Sequence, residues 1–246
     1  MLFMPYAPMP YARAGLKGPA ATSAHGRLVY NNGVTYYPIF IELAGRRCLV
    51  VGGGRVAQGK VEGLLAAGAE VTVVAPALTE PLRDLVAAGR VSHVAREYES
   101  GDLAGFALCF VATNDAAVNA QVAAEGKRRR VWVNAADDPA NCDFILPSVI
   151  RQGEVVLAVS TGGASPALAR RLREELTAFL SEEYAPLAEL LREVRRELRQ
   201  RNLSIDAEAW QRAIDARLRA LLARLGVGEA LATALRQAQG AARPQK

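Results

Sequence analysis

Short apolar runs alternate with longer amphipathic stretches between residues 48 and 133, and this alternation predicts strands separated by helices. Five runs have the length and the β-branched or aromatic content of strands, at residues 48–51, 71–74, 91–95, 108–112 and 131–133. Helical spacing predicts helices after the turn at residue 54, at 80–88 and at 116–127. Strands that alternate with helices favour an α/β fold with a parallel sheet covered on both faces.

A glycine-rich turn follows the first predicted strand and begins the first helix. Gly52, Gly54 and Ala57 match the pattern G-x-G-x-x-G/A. Gly52 permits the tight turn, Gly54 lets the backbone approach a pyrophosphate, and Ala57 lets the helix pack closely on the strand. The strand-turn-helix-strand context favours a Rossmann-type, doubly wound dinucleotide site over an ordinary structural turn, which is the alternative interpretation.

Polar residues follow the fourth and fifth predicted strands. Ligands of doubly wound sheets bind outside the carboxyl ends of the strands, so we expect Thr113 and Asn114 to lie beside a cofactor. A helix N-cap by Asn114 or Asp115 is an equally good explanation of that loop. The loop at residues 134–147 contains three aspartates, and its first, Asp137, is the candidate general base. Ordinary turn chemistry is the alternative.

The pattern changes after residue 147. Residues 148–151 and 155–159 predict a β-hairpin, and the Ser160–Pro166 segment forms a second glycine loop in front of a helix. Ser165 is the expected N-cap and Pro166 the first helical residue. Further apolar stripes predict helices from residues 186 and 210 and after 228. We therefore divide the chain into a disordered extension at 1–35, a dinucleotide-binding domain at 36–147, a segment at 148–180 and a helical domain at 181–240, followed by a frayed tail.

Composition excludes several classes of function. The 246 residues have a net charge of +5 without basic-aromatic clustering, which argues against nucleic acid and indicates either an acidic small-molecule partner or a charge that serves only solubility. With only two histidines and three scattered cysteines, we expect no metal site and a reduced, cytoplasmic protein. No apolar run is long enough to span a membrane.

Several blocks in the same order carry a family resemblance. They are residues 38–40, 50–57, 112–115, 134–139, 144–147 and 160–166, with Lys60. From about residue 37 to 201 the chain closely resembles the precorrin-2 dehydrogenase family, the N-terminal module of siroheme synthases. The resemblance implies a Rossmann domain, a small β-containing dimerisation segment, an all-α C-terminal domain and a homodimer with its active site between domains.

The resemblance also implies the chemistry. NAD would accept a hydride as precorrin-2, a tetrapyrrole, is oxidised to sirohydrochlorin, and Asp137 would be the catalytic carboxylate. Insertion of ferrous iron as a further substrate is an additional activity left open. Cofactor contacts fall on Gly52, Gly54, Arg55, Val56, Ala57, Pro76, Ala77, Thr113 and Asn114. Substrate contacts fall on Asn134, Ser160, Thr161, Gly162, Gly163 and Ser165.

Two departures from the usual pattern keep alternatives open. The second strand ends Val74-Ala75-Pro76, without the acidic residue that usually bonds the ribose 2′-hydroxyl. The choice of NAD over NADP therefore rests on the family resemblance, and Arg55 leaves NADP open as the alternative. Thr161 stands where some relatives have serine. The competing functions are a non-catalytic NAD-sensing module and another Rossmann oxidoreductase that acts on an acidic metabolite.

Overall fold

The structure, a computed structural model, describes residues 36–180, 182–204, 208, 210–211, 214, 218 and 243–244. The extension at residues 1–35 and most of the helices predicted from residue 210 onwards lie outside these ranges. In the described part of the chain, no helix is long and apolar enough to cross a membrane.

A five-stranded parallel sheet forms the centre of the first domain. Its strands are β1 (Arg47–Val51), β2 (Glu70–Val74), β3 (Val91–Val94), β4 (Leu108–Val111) and β5 (Trp132–Ala135), in the order β3-β2-β1-β4-β5. In the central strand, Val50 pairs with Val73 on one side and Phe110 on the other. The predicted parallel sheet is confirmed, and each boundary agrees with the sequence pattern to within two residues.

Helices cover both faces of the sheet, as in a doubly wound fold. They are α1 (Arg55–Ala66), α2 (Glu80–Ala87) and α3 (Ala116–Arg129). Alternate side chains of β1 enter two separate apolar clusters, Cys48 and Val50 beneath α1 and α2, Leu49 and Val51 beneath α3. The continuous apolar run of β1 follows from this burial on both faces.

The helix ends agree with the sequence expectations in most places. The carboxylate of Asp115 accepts hydrogen bonds from the amides of Ala117 and Val118 at 2.8 and 3.2 Å, so Asp115, and not Asn114, caps α3. Threonine is a common N-cap, and from the sequence Thr79 is the expected cap of α2, but its hydroxyl donates to Gln58 Oε1 at 3.2 Å and makes no capping bond.

The second part of the chain contains the predicted hairpin and two helices. They are β6 (Ser148–Gln152), β7 (Val155–Val159), α4 (Pro166–Phe179) and α5 (Tyr184–Gln200). Ser165 caps α4 as expected, accepting from the Leu168 amide at 3.1 Å. Helix α5 begins two residues before Pro186, because a proline in the first turn leaves no internal hydrogen bond unmade.

Two short strands near the C-terminus were not predicted. β8 (Leu203–Ser204) pairs in antiparallel fashion with β9 (Arg243–Pro244). The expectation of a frayed tail is therefore wrong for Arg243–Pro244. Two-residue strands contain too little sequence to produce a detectable period.

A buried carboxylate joins α3 to the loop after β3. Glu125 is 1% exposed and accepts hydrogen bonds from Tyr98 Oη at 2.5 Å, the Gly101 amide at 2.8 Å and Arg129 Nε at 2.5 Å. Burial alone would raise the pKa of Glu125, but these three donors outweigh it and hold the pKa below its ordinary value. Glu125 is therefore charged in the folded protein and holds the loop against the helix.

We predict that Glu125→Gln lowers the free energy of unfolding at pH 7 by about 2 to 4 kcal/mol, since it removes the charge from a buried hydrogen-bonded cluster. A folded-state pKa below the unfolded value stabilises the fold above about pH 4.3, and this contribution is lost as pH falls through the folded-state pKa. Urea unfolding at several pH values measures the difference. Glu97→Gln, at an exposed carboxylate, is the control. If the difference in free energy of unfolding between wild type and Glu125→Gln grew toward low pH, the pKa of Glu125 would not be lowered in the folded protein.

Candidate active site

Four loops lie together at the carboxyl edge of the sheet, near β1, where the direction in which successive strands are added to the sheet changes. From β1 the chain continues to β2 on one side, and β4 and β5 lie on the other. The loops that follow β1, β2, β4 and β5 all leave this edge, which is where doubly wound folds bind their ligands.

The glycine turn after β1 is shaped by direct backbone contacts. Gly52 has a φ of +116°, and a Cβ atom there would lie 2.4 Å from the carbonyl oxygen of Ala112. Ala57 is fully buried in the contact between α1 and the sheet. Both residues therefore have the packing roles that the fingerprint predicts.

Gly53 is a position whose importance the fingerprint did not indicate. A Cβ atom there would lie 2.0 Å from the Ala77 carbonyl oxygen, and the Thr79 amide donates to the Gly53 carbonyl at 2.9 Å. The glycine turn is thus packed directly against the loop after β2. The available signal was the run of three consecutive glycines, one more than the motif requires.

The N-terminus of α1 fits an anionic group. Gly54 is its N-cap, with a φ of −84°, and a Cβ atom there would meet nothing within 4 Å. No side chain caps the helix and its first turn has no acidic residue. The first-turn amides and the positive end of the helix dipole therefore face open space, as a pyrophosphate cradle requires.

A cavity of about 390 Å³ opens beside the end of β2. Its lining residues are Pro76, Ala77, Leu78, Arg83, Val86, Ala87 and His93. Pro76 and Ala77, expected among the cofactor contacts, lie here. The cavity adjoins the glycine turn through Ala77, whose carbonyl touches Gly53.

A second cleft of about 500 Å³ lies between the N-terminus of α1 and the loops after β4 and β5. It is lined by Val56, Ala112, Thr113, Asn114, Ala116, Asn119, Ala136, Asp137 and Asp138. The structure thus brings the expected cofactor residues Val56, Thr113 and Asn114 together with Asp137. Arg55, at the start of α1, is exposed and lines neither cavity.

Asn119 also lines this cleft, although it was not predicted from the sequence. It is 6% exposed, and the Thr113 hydroxyl donates to its Oδ1 at 3.0 Å. That bond holds Asn119 at the cleft wall. An amide among the apolar residues on the buried face of α3 was the signal that could have found it.

The three aspartates of the loop after β5 have different roles. Asp143 accepts from the Val133 amide at 2.9 Å, and Asp138 accepts from the Asn141 side chain at 2.7 Å, so both carboxylates support the loop. Asp137 is exposed, and among the described residues its carboxylate has no hydrogen-bond or ion-pair partner. Its φ of +58° is a left-handed conformation that aspartate tolerates better than most residues. Asp137 is therefore the carboxylate available for chemistry.

Asn134 supports this loop from below. It is 8% exposed, and its side-chain amide donates to the Phe144 carbonyl at 2.8 Å. Although we expected it among the substrate contacts, its amide is engaged in the core, and it lines neither cavity.

Lys60, for which no role was predicted from sequence, approaches the same loop from α1. Its ammonium nitrogen lies 5.3 Å from the centre of the Phe110 ring, and the side chain is half-buried. Burial lowers the pKa of Lys60, while the charges of Asp137 and Cys142 act in the opposite direction. Lys60 therefore contributes positive potential beneath Asp137.

The loop after β7 is a self-contained turn. Thr161 Oγ1 donates to the Ser165 carbonyl at 3.0 Å and accepts from the Ser165 amide at 3.1 Å, and Ser160 Oγ accepts from the Gly162 amide at 3.1 Å. Gly162 and Gly163 have φ values of +63° and +86°, which explains the glycine pair by backbone conformation. None of these residues lines the Asp137 cleft within one chain.

Comparison with known families agrees with this geometry. A family described as putative NAD(P)-binding matches residues 39–148, and one described as sirohaem biosynthesis protein central matches residues 156–178. The siroheme synthases of Photobacterium profundum and Methylobacillus flagellatus are 42% identical over 190 residues and 43% identical over 164 residues. These matches cover 76% and 67% of this chain but only 40% and 35% of the relatives, so the chain spans about two fifths of their length.

A solved structure described as SirC, precorrin-2 dehydrogenase, superposes with a TM-score of 0.67 at 30% identity. The match covers 82% of this chain and 100% of that one. Its full coverage, together with the doubly wound sheet and the glycine turn, shows that the chain belongs to the precorrin-2 dehydrogenase family.

Proposed function

We propose that this chain is an NAD-dependent dehydrogenase that oxidises precorrin-2 to sirohydrochlorin. The observation that carries the proposal is the cleft in which an unpartnered carboxylate, Asp137, faces the N-terminal end of α1. Family membership supports the same reaction. Three free thiols, Cys48, Cys109 and Cys142, agree with a reducing compartment, and we propose the cytoplasm.

The dinucleotide is assigned to the carboxyl edge of the sheet. Amides of the first turn of α1 would bind the pyrophosphate, and Gly54 leaves room for it. The adenosine half extends over Pro76 and Ala77, and the nicotinamide half enters the cleft beside Val56, Thr113 and Asn114. When bound there, NAD supplies the hydride acceptor.

Asp137 is the proposed proton acceptor. Oxidation of the substrate breaks two C–H or N–H bonds, and one hydrogen leaves as a hydride and the other as a proton. A carboxylate oxygen of Asp137 is free to take the proton, and Lys60 contributes positive potential near the carboxylate. General-base catalysis of this kind contributes about a hundred- to ten-thousand-fold in rate.

Ferrous iron is a proposed substrate of a second step. Metal insertion into sirohydrochlorin requires removal of pyrrole protons, and Asp137 is again the candidate acceptor. The described residues contain no cluster of three or more His, Cys, Asp or Glu able to hold a metal. We therefore propose that the iron is a substrate coordinated by the tetrapyrrole, and not a metal held by the protein's own side chains.

We further propose a homodimer formed through β6, β7 and α4. Three apolar side chains on these elements are exposed in the single chain: Val149 by 38%, Leu168 by 49% and Phe179 by 73%. A dimer that buries them would give the segment an apolar interface. The Ser160–Ser165 loop belongs to the same segment, so we propose that the substrate contacts expected of this loop depend on the dimer.

The dimer predicts a mass of twice 26.3 kDa in sedimentation equilibrium. Leu168→Glu should shift the protein toward the single-chain mass, because it places a charge in an apolar interface. Phe40→Glu, at an exposed apolar residue outside the segment, should leave the mass unchanged. A single-chain mass for the wild type would refute the dimer.

Anaerobic incubation with precorrin-2 and NAD should yield sirohydrochlorin and NADH, followed by absorbance. Asp137→Asn should lower kcat/KM about a hundred- to ten-thousand-fold, since the amide cannot accept the proton and asparagine also tolerates the left-handed backbone. Asp138→Asn keeps the oxygen that accepts from Asn141 and should cost less than about tenfold.

Failure of the folded wild type to form sirohydrochlorin would refute the dehydrogenase. A tetrapyrrole spectral shift on binding separates this function from an NAD-sensing module and from an oxidoreductase of another acidic metabolite. A larger loss in Asp138→Asn than in Asp137→Asn would transfer the role of base to Asp138.

A further inference from the structure

The cavity beside β2 contains basic side chains where an NAD-specific site usually has an acidic one. In Rossmann domains, an Asp or Glu at the end of the second strand bonds the ribose 2′-hydroxyl, whereas a nearby arginine accommodates a 2′-phosphate. Here the strand ends at Val74 and continues as Ala75, Pro76 and Ala77. Among the described residues, none that lines the cavity is acidic.

The position of this cavity follows from the glycine turn. Ala77 both lines the cavity and makes the backbone contact with Gly53 that excludes a side chain there. A dinucleotide with its pyrophosphate at the N-terminus of α1 therefore has its adenosine ribose beside Ala77. In Rossmann domains the 2′ position of that ribose faces the end of the second strand, which is where this cavity opens.

Arg83 supplies positive charge to the cavity beside β2. Its Nη1 donates to the Leu78 carbonyl at 2.7 Å, which holds the guanidinium against the loop after β2. In the part of the chain that the structure describes, Arg83 has no ion-pair partner, whereas Arg96 and Arg129 are paired with Asp102 and Glu125. A guanidinium has five donors, so one bond to a carbonyl leaves several for a phosphate.

His93 also lines this cavity. Its Nε2 lies 2.9 Å from the Ala75 carbonyl oxygen, which can only accept, so Nε2 bears the hydrogen. This bond holds the imidazole in place. Because no acidic residue is among the described residues that line the cavity, no carboxylate there repels a phosphate. The acidic residues of α2 nearest in sequence, Glu80 and Asp84, are exposed and do not line the cavity.

We propose that this chain binds NADP as well as NAD, with Arg83 as the residue that contacts the 2′-phosphate. The inference rests on the proposed dinucleotide site and deepens it by naming the side chain that decides cofactor specificity. Arg55 is not that residue, since it lines neither cavity.

Calorimetric titration of the full chain with NAD and with NADP at one ionic strength tests the proposal. The wild type should bind both dinucleotides. Arg83→Ala should weaken NADP about tenfold or more and NAD by less than about twofold, because only NADP has the additional phosphate. Arg83→Lys should lie between the two, since an ammonium keeps the charge but not the guanidinium fork.

Arg90→Ala is the matched control, because it removes the same charge from an exposed residue outside the cavity and should change neither affinity. Thermal unfolding of each variant verifies its fold. Binding of NAD without NADP, or equal weakening of both by Arg83→Ala, would overturn this inference and leave the proposed dehydrogenase intact. If neither dinucleotide binds, the inference and the proposed function both fail.

Discussion

Two glycine contacts at the carboxyl edge of the sheet determine how the site is assembled. Side chains are excluded at Gly52 by the Ala112 carbonyl and at Gly53 by the Ala77 carbonyl. These contacts draw the loop after β4 and the loop after β2 against the turn that begins α1. The adjoining Gly54 has no such contact, so the space left at the helix N-terminus is open to a ligand. Close packing on two sides thus leaves the third side open, and it is there that we propose an anion binds.

In the loop after β5, some polar side chains support the loop structure and one, Asp137, lines the cleft. Asp143 accepts from the Val133 backbone amide and Asp138 from the Asn141 side chain, while Asn134 donates to the Phe144 carbonyl. Asp137 is left without a partner and lies in the cleft. A free carboxylate is useful for proton transfer only if the loop that bears it is rigid, and its neighbours provide that rigidity.

The parallel sheet could be predicted from sequence, because burial on both faces produces continuous apolar runs such as the one in β4. The glycine turn could be predicted from its motif. Asp137 could be singled out by its position after β5, but the roles of Asp138 and Asp143 required the loop conformation. Gly53 and Arg83 were missed since both act through tertiary contacts with the loop after β2, which leave no periodic signal. Threonine is a common N-cap residue, yet the Thr79 hydroxyl donates to Gln58, which lies on the neighbouring helix α1. Local sequence preference does not predict such a long-range hydrogen bond.

The proposed site depends on binding of the NAD pyrophosphate by the first turn of α1, over Gly54. Calorimetric titration of NAD into Gly54→Ala tests it most directly, because the new methyl group meets no protein atom within 4 Å and the fold should persist. Gly63→Ala, at an equally open position farther along α1, is the matched control. We expect Gly54→Ala to lose about tenfold or more in NAD affinity and Gly63→Ala to retain it. Wild-type affinity in a folded Gly54→Ala protein would show that the pyrophosphate does not bind over Gly54.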